Sequence, residues 1–163
     1  KWSKQKSEFG KELIEKQKAR FTYGITEKQL RTYVDKSLTA PNPAQKFFTL
    51  LESRLDNVAF RSGLVKTRSQ GRQAASHGHL MVNGKRVTIP SISLKVGDKI
   101  SLRPASSKSP LFAEVAERVK GQAAPAWLES DAALREVRVT GSPVYVPEEH
   151  VFDLRVVIEF YNR

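Results

Sequence analysis

Residues 54–103 read RLDNVAFRSGLVKTRSQGRQAASHGHLMVNGKRVTIPSISLKVGDKISLR, and their punctuation is that of two helices followed by a tight hairpin. Gly63 is placed to stop the first helix. Thr67-Arg-Ser-Gln70 has the spacing of a capping box and opens a second helix, which ends at Gly78. Within that helix Gly71, Ala74 and Ala75 form a stripe of small side chains, so it is expected to press closely on the helix before it. Leu80-Met-Val-Asn-Gly-Lys-Arg-Val87 signals a hairpin, because Asn83-Gly84 suits the positive φ angles of a type I′ turn. Gly97-Asp98 marks a further turn before a strand from Lys99 to Arg103. The stretch holds ten Lys or Arg against two acids, Asp56 and Asp98. A small, strongly basic helix–helix–hairpin unit without a catalytic constellation points to nucleic-acid recognition, with RNA the better-fitting polymer.

The bulk composition agrees. A length of 163 residues suits one large domain or two small ones, and 39% hydrophobic residues is ordinary for a globular protein. No apolar run approaches the length of a membrane span, and the N-terminal residues lack a signal-peptide stretch, so no membrane partner is expected. Without cysteine there is neither a disulfide framework nor a thiolate metal site, which fits a reducing cytosol. The chain begins at Lys1 and its single methionine is the internal Met81, so the segment is expected to start inside a longer gene product. The formal charge of +11 is unevenly spread. Residues 1–36 carry ten basic against five acidic side chains, residues 52–103 ten against three, and residues 104–163 seven against nine. The cations thus sit in the first two-thirds, as phosphate contact there requires, while the tail faces something else.

Working outward, Phe9, Leu13 and Ile14 give a sparse apolar stripe, with Glu12 and Lys16 spaced as an i,i+4 pair. Gly24 breaks that helix, and the capping box Thr26-Glu-Lys-Gln29 opens another, with Leu30, Tyr33 and Val34 on one face. Residues 39–44 read as a linker in which Asn42 and Pro43 start a long helix running to about Ser62, its core side made by Phe47, Leu51, Leu55 and Val58. Downstream, Ser109 and Pro110 start a helix that Gly121 ends. The remainder reads as strand and turn: Val137 and Val139 alternate with polar neighbours, and Val156-Val-Ile-Glu-Phe160 reads as a buried closing strand.

Candidate functional residues follow from these elements. Arg54, Asn57 and Arg61 fall at i, i+3 and i+7 as a polar stripe, Arg68 and Arg72 are one turn apart with Ser76 continuing the row, and Lys66 lies between the helices. Asn83, Lys85 and Arg86 sit at the hairpin tip. Together they make a positive surface suited to RNA phosphates, where arginine bridges two oxygens. His77-Gly-His79 invites a metal reading, but zinc sites usually take four ligands and only His150 remains among histidines, so a cap-side or RNA-facing His77 is expected and no cofactor. No P-loop, nucleophile elbow or zinc-protease motif is present, and Asp56 is expected to pair with a nearby cation. Trp2, Phe21, Tyr23 and Trp127 are the aromatics placed to stack on bases, although such spacings more often mean core.

The run Arg-Leu-Asp-Asn57, Thr-Arg-Ser-Gln-Gly-Arg-Gln73, His77-Gly-His-Leu-Met-Val-Asn-Gly84 and Gly-Asp-Lys-Ile100 resembles the S-four-type RNA-binding domain, the αL motif. The flanks are sharper: Glu15-Lys-Gln-Lys-Ala-Arg20, Tyr23-Gly-Ile-Thr-Glu-Lys-Gln29, Pro125-Ala-Trp-Leu-Glu129 and Val157-Ile-Glu-Phe-Tyr-Asn-Arg163 resemble the small-subunit ribosomal protein S-four family of bacteria and organelles. The resemblance implies an α+β fold: a helical lobe with a small C-terminal sheet, built from residues 1–52 and 118–163, interrupted by an S-four-type domain over 53–117. It implies a cytoplasmic or organellar small-subunit constituent that binds 16S-type ribosomal RNA early, organises the subunit body, supports decoding accuracy, touches ribosomal proteins five and three, and lies near mRNA. It adds Lys16, Lys18, Arg20, Tyr23, Lys28 and Arg31 to the expected RNA contacts. The acidic tail places Glu148, Glu149 and Asp153 beside ribosomal protein five. Rival readings are an RNA-modifying enzyme of pseudouridine-synthase type and a ribosome-associated stress factor with the same module. This chain has Asp153-Leu154 where the family's closing strand usually begins with Asn-Glu, and the residues given hold no cysteine of the kind that many members carry in a basic N-terminal extension, so no zinc role is expected.

Overall fold

The computed structural model describes residues 4–163, and these divide into two compact units, residues 4–51 with 144–163 and residues 52–143. The first unit is helical. Helix α1 (Glu8–Tyr23) starts on Ser7, whose hydroxyl accepts from the Gly10 amide, and stops at Gly24 in the left-handed region. Helix α2 (Glu27–Ser37) opens with both halves of the Thr26/Gln29 capping box in place. Helix α3 (Pro43–Glu52) follows the linker, with Asn42 accepting from the Gln45 amide. The unit closes with α7 (Leu154–Tyr161), which packs along α1. Its core joins Leu30, Val34, Phe47, Leu51, Leu154 and Val157 to a run of rings: Phe48, Tyr145, His150, Phe152 and Tyr23.

Helix α7 corrects the closing strand expected over residues 156–160. Val156-Val-Ile reads as β-branched strand, yet Leu154, Val157 and Ile158 are buried at i, i+3 and i+4, and the Asp153 side chain caps the helix by accepting from the Arg155 amide. Cap and helical period win because this unit offers that segment no strand to pair with.

Among the described residues all five strands lie in the second unit, so the small sheet does not belong to the helical lobe. The unit runs through α4 (Leu55–Arg61), α5 (Arg68–Ser76), β1 (Leu80–Val82), β2 (Lys85–Arg86), β3 (Lys99–Leu102), α6 (Val115–Gly121), β4 (Leu128–Asp131) and β5 (Glu136–Val139). The sheet is antiparallel in the order β2-β1-β3-β5-β4, with Val82 opposite Lys85 across the Asn83-Gly84 turn and Ile100 opposite Val137. Asn83 and Gly84 both have positive φ, as the type I′ turn requires. Strand β5 and the buried Val115, Val119 and Trp127 share one core with Leu55 and Ile100, which carries this unit to Pro143, past the boundary drawn at 117.

The long helix expected from Pro43 to Ser62 is broken at Ser53 and Arg54. Arg54 is extended (φ −64°, ψ 140°), and the segment around residue 92 takes up the exposed backbone: the Leu55 amide donates to the Ile92 carbonyl, and the Leu94 amide to that of Ser53. The apolar period runs across the break without a sign of it, because the partner lies forty positions away.

The small-residue stripe of α5 does meet α4. A Cβ on Gly71 would lie 2.6 Å from the Asp56 carbonyl oxygen, so only glycine fits. Gly71→Ala is therefore expected to cost about 1–3 kcal/mol by forced overpacking, whereas Gly121→Ala, which meets no atom within 4 Å, should leave stability nearly unchanged. Urea denaturation of the two variants checks this, and equal midpoints would contradict the close approach.

Candidate nucleic-acid interface

The buried floor of the second unit is ionic. Glu52 is 1% exposed, and its carboxylate accepts two bonds from Arg61, at 3.0 Å from Nε and 2.8 Å from Nη2, and one from Asn57 Nδ2 at 2.7 Å. Asn57 Oδ1 in turn accepts from Arg68 Nε at 2.9 Å, and the Arg68 guanidinium lies 4.5 Å from the centroid of Phe60. Beside this network Arg54 and Asp56 form a buried bidentate pair at 3.1 and 2.9 Å. Burying charges is tolerable only where each is paired and hydrogen-bonded, and here each is.

This arrangement revises the expected polar stripe. Arg54 and Asn57 are interior groups, because the helix break turns them inward, and Arg61 and Arg68 are half-buried and committed to neighbours. Asp56 pairs with a cation as its sequence context suggested. In the first unit Tyr23 is a core residue whose ring packs tilted against Phe152, and Lys16 is buried with its Nζ 2.9 Å from Glu27. Tyr23, Lys16 and Arg54 therefore leave the RNA-facing set.

What remains outside is a cationic surface. Lys66, Arg72, Ser76 and His77 are exposed on and before α5, and Asn83, Lys85 and Arg86 on the hairpin. Arg86 Nε donates to the Gly78 carbonyl at 3.2 Å, which seats the hairpin against the end of α5. A Cβ on Gly78 would fall 2.2 Å from that guanidinium, and its φ of +73° favours glycine independently. Asn83 ties the hairpin turn to the start of β3, donating to Asp98 at 3.0 Å and accepting from the Lys99 amide at 2.9 Å. In the first unit Lys28 and Arg31 are exposed on α2, Arg20 is half-buried, and Lys18 is exposed and paired with Glu15.

Local electrostatics report the crowding of positive charge. His79 bonds Ser106 through Nδ1 at 2.7 Å, and its basicity is depressed, first by burial and then by the charges of His77, Arg103 and Arg86. Elsewhere carboxylates are held down by partners: Glu12 by the Arg163 guanidinium, and Asp153, against the opposing effect of burial, by Arg155. Glu148 and Glu149 are exposed on a 3-10 turn, while Asp153 is occupied as the α7 cap. Among the described residues no group of three or more His, Asp or Glu could hold a metal ion. Sequence reasoning missed Glu52 as the anchor and Ser106 and Arg103 as neighbours of His79. An acid at the end of an apolar helix inside a cationic segment was the available signal for Glu52.

Comparison with known proteins follows the same division. Residues 1–52 match the ribosomal protein S4/S9 N-terminal domain, and residues 53–100 the S4 domain. The chain is 42% identical to small ribosomal subunit protein uS4 of Pelotomaculum thermopropionicum, over 98% of this chain and 77% of that protein. It is likewise 42% identical to the uS4 of Corynebacterium kroppenstedtii, over 96% and 79% of the two chains. The uS4 of Lactococcus lactis is also 42% identical, over 96% and 77%.

Removing the anchor should be costly. Glu52→Ala removes the carboxylate that Arg61 and Asn57 bond, leaving Asn57 only the residue-52 carbonyl at 2.8 Å, and an expected loss of about 3–5 kcal/mol follows from breaking the buried ion pair. Thermal or chemical unfolding reads it; a loss below about 1 kcal/mol would show the network to be incidental.

Proposed function

The chain belongs to the small ribosomal subunit protein uS4 family, and from that premise we propose how its surface is divided among partners. It is a non-enzymatic structural constituent of the cytoplasmic small ribosomal subunit and binds ribosomal RNA there. We assign RNA contact in the second unit to Lys66, Arg72, His77, Asn83, Lys85 and Arg86, and in the first to Lys18, Arg20, Lys28 and Arg31. One observation carries this assignment. All three acids of residues 52–103 are spent internally, Glu52 on Arg61, Asp56 on Arg54, and Asp98 on the Lys95 amide and Asn83. None of these acids is spent on the exposed Lys66, Lys85 or Arg86, which present their charge where phosphate would meet it. Arg61 and Arg68 act as positioning residues that hold α4 and α5 for this face.

Early RNA binding of this kind fits a role in organising the subunit body and in decoding accuracy. The exposed acids Glu148 and Glu149 cannot profitably face phosphate, and they suit a cationic neighbour such as ribosomal protein five, with Asp153 fixing the helix beside them. Contact with ribosomal protein three and with mRNA rests on family likeness alone. Relatives that are ribosomal proteins over nearly the whole chain disfavour a modifying enzyme or stress factor that borrows the module.

Lys66→Ala combined with Arg72→Ala and Lys85→Ala should flatten the salt dependence of RNA affinity, by roughly one unit of log–log slope for each phosphate no longer neutralised. Stability should stay within about 0.5 kcal/mol, since these are surface changes. Arg68→Ala should instead lower stability as well as affinity, because it removes the partner of Asn57. Salt titrations beside unfolding curves check both. An unchanged slope in the triple variant would remove this face from RNA.

A further inference from the structure

Four aromatic side chains stood open for base stacking, and the structure separates them. Tyr23 and Trp127 are core residues, and Trp2 lies outside the described residues. Phe21 is different: it sits in the last turns of α1 with 68% of its surface exposed. An isolated exposed ring is unremarked on most surfaces, but its surroundings here are particular. The Arg20 guanidinium carbon lies 4.9 Å from the ring centroid, over one side of the phenyl. Gln17, one turn earlier on the same helical face, and Arg20 each hold a polar atom shielded from water, Oε1 and Nε, with no hydrogen-bond partner among the described residues. Arg20 also reaches Glu27 at 3.8 Å, and Arg31 stands one turn along α2 from that glutamate on the same face. Both arginines lie within electrostatic reach of Tyr161. Arg31 and Lys28 have no ion-pair partner among the described residues.

We propose that Phe21 is a stacking platform for one unpaired RNA base, with Arg20 backing the ring and Arg31 taking the adjoining phosphate. A nucleotide flipped out of a helix presents a flat π face, an edge of donors and acceptors, and an anionic phosphate beside it. The π face and the phosphate complement the exposed ring and the flanking cations. An apolar protein segment would match the ring and leave the cations desolvated and unpaired, so RNA is the better occupant. Phosphate contacts position a protein on RNA without reading an unpaired base; stacking on Phe21 adds recognition of a single-stranded or bulged nucleotide. This inference rests on the RNA-binding reading above, which concerns phosphate contact alone.

The test uses the full chain with two probes, labelled oligo(rA) of about twelve nucleotides and a blunt RNA duplex of about sixteen base pairs with no unpaired base. Phe21→Ala and Phe21→Leu, the latter keeping apolar bulk without a π face, are both expected to weaken oligo(rA) binding about tenfold. Duplex affinity should stay within about twofold. Phe21→Trp should bind oligo(rA) at least as well as the parent, with its added indole fluorescence quenched by oligo(rA) and not by duplex. Equal oligo(rA) affinity in all four proteins, equal losses on both probes, or an unquenched indole would overturn the proposal while duplex binding left the phosphate reading standing. A parent chain that binds neither probe would overturn both.

Discussion

A single buried carboxylate organises the second unit. Glu52 closes α3 as its last residue, draws in Arg61 from the end of α4, and fixes Asn57, which in turn holds Arg68 at the start of α5. Its negative charge is nearly sealed from water, so each donor around it is worth more than at a surface, and losing the acceptor would be correspondingly worse. The close packing of Gly71 on the Asp56 carbonyl depends on α4 and α5 being held in register by this network. The outer face of α5 inherits its position from that contact, and the hairpin follows through Arg86 and Gly78.

The same economy of acids explains the surface. A chain of net charge +11 folds without self-repulsion tearing it apart because its acids go where they neutralise cations that must be internal or half-buried. Glu52 and Asp56 do so in one unit, and Glu27, paired with the buried Lys16, in the other. The charged side chains left exposed on α5 and the hairpin are cations, α2 exposes Lys28, Arg31 and Lys36 against Asp35, and Glu148 and Glu149 are exposed acids. A ribosomal protein needs both kinds of surface, one for polyanion and one for cationic neighbours.

The readable parts of the sequence were those with local chemistry. The Thr26/Gln29 capping box, the Thr67 cap of α5, the Gly24 stop and the Asn83-Gly84 turn rest on contacts within a few residues, and each reads from its own neighbourhood; at α5 the Gln70 side chain bonds the Lys66 amide, so only half of the expected box forms there. The unreadable parts depended on distant partners. Nothing near Ser53 and Arg54 announces that residues 92–94 will satisfy their backbone, so the helix appeared continuous and Arg54 and Asn57 were placed outside. Val156-Val-Ile looked like strand because β-branched residues usually are, but Asp153 and the burial of Leu154, Val157 and Ile158 made it helix. Tyr23 and Lys16 sit in a patch rich in basic residues yet are interior, Tyr23 against the Phe152 ring and Lys16 on Glu27. Of the candidate site, the cations flanking α5 and at the hairpin tip were legible; which arginines are scaffold and which face solvent was not.

Amide hydrogen exchange of the full chain, free and bound to small-subunit ribosomal RNA, tests the central claim most directly. If buried acids leave a cationic face for phosphate, binding should slow exchange over residues 66–77, 83–86 and 20–31. Exchange over the acid-bearing residues 129–136 and 147–150 should be unchanged. Protection concentrated on those acidic segments, with the α5 and hairpin amides unaffected, would contradict it.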